Sequence, residues 1–146
     1  MAHGANEELI ESAKKGDLAG IEKALAAGAD VNAKADYDDT ALNYAAENGH
    51  KEVVARLIAG GADIENKGGA DKTPIKNAAF AGNIGIVRLL LEKGARINND
   101  LLDSVALKVS IFRENAELGM VRPEGVAAWE QFLAELVAAH GRQQAQ

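Results

Sequence analysis

The chain has 146 residues, enough for one domain of ordinary size, and it is 47% hydrophobic and 26% charged, a globular composition. Its net charge of -6 argues against nucleic-acid binding as the main role and leaves room for a basic partner. There is no cysteine, which excludes disulfides and thiol catalysis, and aromatics are only 4%, so the core is built from Ala, Leu, Val and Ile.

The dominant feature is a period of 33 residues. Gly16, Gly49 and Gly82 are spaced by it, as are Gly28, Gly61 and Gly94, and Thr40 and Thr73. A strict period means one structural unit copied along the chain. Units of this size stack against their neighbours and build binding surfaces.

In chain order, a first short helix is predicted over 8–15, with Leu9, Ile10 and Ala13 on one side and Gly16 as the stop. Asp17 caps a second helix over 18–27, ended by Gly28. A turn-rich connector follows to Asp39. The second unit repeats the plan: Thr40 opens a helix through Asn48, Gly49 stops it, and 51–59 forms the next. In the third unit Thr73-Pro74 places proline at a favourable first helical position. That helix runs to Ala81, and Ile86, Val87, Leu90 and Leu91 belong to its partner, ended by Gly94.

After Asp100 the repeat fails. Leu102, Val105, Val109, Phe112 and Ala116 step by three and four, so a long helix reaches toward Gly119. Arg122-Pro123-Glu124-Gly125 marks a break. A last helix over 125–140 carries Val126, Trp129, Phe132 and Leu136, with Trp129 and Phe132 expected in its core, the alternative being an exposed aromatic patch for a partner or a second copy of the chain. Residues 141–146 read as a frayed polar tail.

The run Thr40-Ala41-Leu42-Asn43-Tyr44-Ala45-Ala46-Glu47-Asn48-Gly49-His50 resembles the T-P-L-H-x-A-A-x-x-G-H signature of ankyrin repeats. Gly28-Ala29-Asp30-Val31-Asn32 matches the family's G-A-D-V-N ending, and Gly61-Ala62-Asp63-Ile64-Glu65-Asn66 resembles it. Thr73-Pro74-Ile75-Lys76-Asn77-Ala78-Ala79 and Gly94-Ala95-Arg96-Ile97-Asn98 give a third copy. The resemblance spans about residues 5–100 and implies an all-α ankyrin-repeat solenoid of stacked antiparallel helix pairs, with short turn ribbons and a helical C-terminal cap. The whole chain then reads as one domain: an N-terminal capping repeat over 5–38, repeats over 39–71 and 72–100, and a modified fourth unit with the cap over 101–146.

Two departures stand out. Asn43 and Lys76 replace the family's loop-tying histidine; Asn both donates and accepts, whereas Lys only donates, so the loop at Lys76 is expected to be less rigid. The glycine two residues before the threonine is Asp38 in one copy and Asp71 in the other. Aspartate tolerates left-handed backbone better than most residues, so the turn is expected to survive with small strain.

Motifs for chemistry are missing. His3, His50 and His140 have no metal-ligand spacing, and there is neither a nucleophile elbow nor a phosphate loop. Asp36, Asp38, Thr40, Leu42 and Glu47 fit the spacing of a calcium loop, but Ala41 replaces the required glycine and a helix already claims the segment. The acidic turn therefore reads as a solvated one, and no metal or cofactor is expected.

The resemblance implies a non-catalytic protein-interaction module that binds through a concave face and turn tips. The tips are placed at Asp36-Tyr37, Gly69-Ala70 and Leu101-Leu102, and Lys14, Tyr44, Glu47, Asn48, Asn77, Phe80 and Arg113 are among the groove positions. From these the binding set is Tyr37, Tyr44, Phe80, Asp36, Asp38, Glu47, Asn48 and Asn77, with a basic protein as the partner and neither nucleic acid nor membrane. The chain is expected to be a monomer. The alternatives are self-association through the C-terminal helix, and a small enzyme using Asp36, Asp38 and Glu47. A cytoplasmic location is expected, or a periplasmic or exported one where a signal segment has been removed.

Overall fold

The structure, a computed structural model, describes the backbone of residues 2–146 and side chains from Gly4 onward. The side chain of His3 lies outside the described residues. Among those described there are eight α-helices, two single-turn 3-10 segments and no strand. The helices are α1 (Ala2–Lys15), α2 (Leu18–Ala26), α3 (Ala41–Asn48), α4 (Lys51–Ala59), α5 (Pro74–Ala81), α6 (Ile84–Glu92), α7 (Asn99–Glu117) and α8 (Pro123–Gln144). The chain forms two compact units, one ending at Ala95 and one spanning Arg96–Gln146.

In the first unit α1 pairs with α2, α3 with α4 and α5 with α6, and the inner helices α1, α3 and α5 pack in series. Close approach there depends on small residues. Ala45, Ala46, Ala78 and Ala79 are all buried, and Leu42 and Ile75 fill the space beside them. On the outer helices Ile21, Val53, Val54, Leu57, Val87 and Leu90 form the buried stripe. Each helix pair turns at a left-handed glycine, with φ of 76 at Gly16, 81 at Gly49 and 80 at Gly82. A second device locks the second and third turns to the repeat before them. The His50 ring reaches the carbonyl of Lys14 at 3.1 Å, and Asn83 donates to the carbonyls of Ala46 at 2.9 Å and Glu47 at 3.2 Å. These bonds satisfy carbonyls that a helix end leaves without partners.

The segments between repeats are tied in the same way. Asn6 Oδ1 accepts from the Asp30 amide at 2.7 Å, and Asn32 Oδ1 accepts from the Asp63 amide at 2.7 Å, one repeat later. At the tips, Asp36–Asp38 and Gly69–Asp71 form equivalent tight turns. Two successive residues are left-handed in each: Tyr37 and Asp38 at φ 60 and 63, Ala70 and Asp71 at φ 58 and 57. The aspartates do adopt the expected left-handed backbone. Tyr37 and Ala70 share it, because a tight hairpin turn of this hand needs positive φ at both central residues. The two turns stack: the Asp39 carboxylate accepts from the Gly69 amide at 3.1 Å.

In the second unit α7 packs along α8. Asn98 caps α7 by accepting from the Leu101 amide at 2.8 Å. Leu101 and Leu102 are therefore inside a helix and not at a turn tip, and Leu101 is buried. The cap at Asn98 starts the helix before any ribbon can form. Val105, Val109, Val126, Trp129, Phe132 and Leu136 make the core, and Phe112 and Phe132 flank Trp129, each with ring centroids 5.7 Å from it. Residues 141–144, expected to fray, continue α8. Gln143 Oε1 accepts from the Ile97 amide at 2.8 Å, which gives the tail a polar anchor.

Candidate functional site

The sequence-predicted binding residues all lie in the first unit. Tyr37 sits at the first turn tip, 81% exposed, in left-handed backbone. Asp36 and Asp38 flank it and are exposed. A few residues on, Tyr44 is half-buried on α3, with Glu47 and Asn48 exposed beyond it. Burial raises the Tyr44 phenol above its ordinary pKa; Asp39, Asp36 and Glu47 raise it further, and Lys14 opposes them. The Lys14 ammonium lies 4.7 Å from the Tyr44 ring centroid, a cation–π contact from α1 to α3.

Phe80 has a different electrostatic setting. It is 40% exposed on α5, with Lys72 Nζ at 4.9 Å and Lys76 Nζ at 5.6 Å from its ring centroid. Two lysines thus face Phe80, whereas Asp36 and Asp38 flank Tyr37 in the chain. Lys72 carried no signal in the sequence beyond its place before Thr73. Its reach over a ring on the next helix is set by the turn.

Asn77 and Asn48 also differ from a simple surface role. Asn77 is only 4% exposed, so it faces the interior and presents nothing to a partner. Its Oδ1 accepts from Asn43 Nδ2 at 2.8 Å. Asn43 Nδ2 also lies within bonding distance of the carbonyls of Lys72 at 3.2 Å and Asn66 at 3.3 Å. Asn43 Oδ1 accepts from the Thr40 amide at 3.0 Å, from Thr40 Oγ1 at 2.9 Å and from Asn66 Nδ2 at 2.8 Å. This buried network fixes the base of the second turn, the loop expected to loosen at Lys76. Asn83 adds a second link from the third repeat back to α3. Asn48 remains exposed, but its Nδ2 donates to the Lys14 carbonyl at 3.1 Å.

Beside the first turn, α1 and the connector enclose an open cavity of about 480 Å³ that includes Ile10, Glu7, Glu11, Lys14 and Asp36. Lys14 thus joins this cavity to the Tyr44 ring. Glu7 and Glu11 carried no motif, since a single exposed acid on a helix is unremarkable until the fold places it beside Asp36. Among the described residues no group of three or more His, Cys, Asp or Glu side chains is placed to hold a metal.

The repeated turn locks, the paired alanines and the stacked tips recur over the same stretch that matches a family model, ankyrin repeats in three copies, over residues 9–100. The chain belongs to the ankyrin-repeat family. No curated protein matches the chain. Ankyrin repeats are protein–protein interaction modules, and the family is typically non-catalytic. The three ankyrin repeats end near the unit boundary, so α7 and α8 lie largely outside the family match. Among the described residues no helix is long and apolar enough to cross a membrane.

Proposed function

We propose that the ankyrin repeats bind a partner protein through the inner-helix and turn-tip side of the first unit, with Tyr37, Tyr44 and Phe80 as anchors. Asp36, Asp38 and Glu47 draw a basic segment of the partner to the tyrosine end, and Lys72 and Lys76 favour an acidic residue beside Phe80. Asn48 lies at the edge of this surface. The role is non-catalytic: the module acts by occupying its partner as an inhibitor, adaptor or chaperone.

The observation that carries this reading is Tyr37. A large ring is held 81% exposed at φ 60, a backbone region unfavourable for a bulky residue. Neither burial nor backbone preference accounts for it, and exposed aromatics are favoured anchors at interfaces.

The test is a triple variant, Tyr37→Ala, Tyr44→Ala, Phe80→Ala, measured against a partner recovered with the intact chain. Binding should weaken about tenfold or more while the far-ultraviolet spectrum stays unchanged. Normal binding by the triple variant, with binding lost on Lys51→Ala on the outer helix α4, would move the site elsewhere.

A further inference from the structure

The second unit carries an exposed face that the repeats do not explain. On α7, Leu107 is 63% exposed and Ile111 48%, and Leu118 just past its end is 74% exposed. Their spacing of four and seven places them on one stripe of the helix. Asp103, Glu114 and Glu117, all exposed, lie on the same side. Ser104 and Ser110 spend their hydroxyls on the carbonyls of Asp100 and Ala106, so they add little competing polarity.

The helix's cations are turned the other way. Arg113 pairs with Glu130 of α8 at 2.9 Å, and Lys108 Nζ lies 5.0 Å from the Trp129 ring of α8. These are the only two cations in α7. The helix is thus sorted, with its positive charge spent on α8 and an apolar stripe edged by carboxylates left outward.

We propose that this face of α7 docks a basic amphipathic helix of a partner, its apolar side on Leu107, Ile111 and Leu118 and its Lys or Arg residues against Asp103, Glu114 and Glu117. Charge decides the occupant. A second copy of the chain is disfavoured in either orientation. Parallel pairing sets each carboxylate against its own copy, and antiparallel pairing brings Asp103 against Glu117 of the other chain. Like charges juxtaposed across an interface oppose association. A basic helix removes that cost and covers the apolar stripe, which otherwise stays in water. The length from Asp103 to Leu118 corresponds to about 22 Å of helix, matching roughly four turns of a partner.

The full chain is titrated with a synthetic helix of Leu and Lys patterned as one apolar and one basic face, and with the same helix carrying Glu for Lys. The Lys helix should bind and the Glu helix should not, and added salt should weaken binding. Leu107→Ser with Ile111→Ser, and separately Glu114→Lys with Glu117→Lys, should each weaken it about tenfold or more. Both pairs are exposed, so thermal unfolding should match the parent. The Tyr37, Tyr44 and Phe80 triple variant should bind the Lys helix normally, which separates this face from the repeat surface. Equal binding of both helices, unchanged binding by the two α7 variants, or sedimentation of the free chain as a dimer abolished by Leu107→Ser would each overturn the proposal.

Discussion

Asn43 of α3 donates to Asn77 of α5 across 2.8 Å, inside the protein, and so joins two successive repeats by a bond between side chains. The pair stands at the centre of a network that also holds Thr40, Asn66 and the Lys72 carbonyl. Among the described residues no buried side-chain polar atom lacks a partner. Removing one member would leave several groups buried and unmatched, which costs more than the bond itself returns.

Asn43→Leu should therefore destabilise the chain by about 2–4 kcal/mol, from more than one orphaned group. Urea unfolding measures it. Asn48→Ala, at an exposed position with one bond to the Lys14 carbonyl, should cost well under half as much.

Ala78 is fully buried between inner helices. Ala78→Leu should overpack that interface and cost about 1–3 kcal/mol. Unfolding indistinguishable from the parent would mean that the inner helices are not in the register described.

Ala70 holds φ 58 without a side-chain reason to do so. Ala70→Gly should relieve the left-handed strain and stabilise the chain by up to about 1 kcal/mol, after the added freedom of the unfolded glycine is subtracted. Gly68→Ala should act oppositely, since a Cβ at Gly68 collides with the Asp39 carboxylate that ties the two turns. Thermal melting of the two variants should shift in opposite directions.

Tyr44 should titrate above pH 10.0, its ordinary value, because burial and Asp39 favour the neutral phenol. The chain has two tyrosines, so Tyr37→Phe leaves Tyr44 as the only reporter in an ultraviolet titration. Lys14→Ala should raise the midpoint further by removing the opposing cation. A raised folded pKa gives a contribution to stability that is fully present below the unfolded tyrosine value and is lost as pH climbs through the folded one.

Phe132 is the largest fully enclosed side chain of α8 and meets the Trp129 ring edge to face. Phe132→Ala should cost the second unit about 3–5 kcal/mol. Removal of residues 123–146 should expose Val105, Val109 and Phe112 and drive aggregation, read by light scattering. A truncated chain as stable and monodisperse as the parent would show that α8 does not stabilise α7.

The sequence by itself determined the repeat. Its glycines recur because each helix pair needs a left-handed residue at its turn, and its paired alanines recur because inner helices must approach closely. Such requirements are local and periodic, so they appear as spacing. Trp129 and Phe132 were legible as core for the same reason, through the helical stripe they share. Only the tertiary structure decided where polar side chains spend their bonds. Asn77 stands beside exposed Phe80 in the repeat pattern, yet Asn43 draws it into the interior, and that bond joins residues 34 apart. Lys72 and Lys76 meet the Phe80 ring, and both cations of α7 turn to α8, because a long flexible side chain takes whichever partner the fold brings within reach. Charge composition counts such residues without saying which way they point, and direction is what divides the tyrosine end of the repeat surface from the Phe80 end.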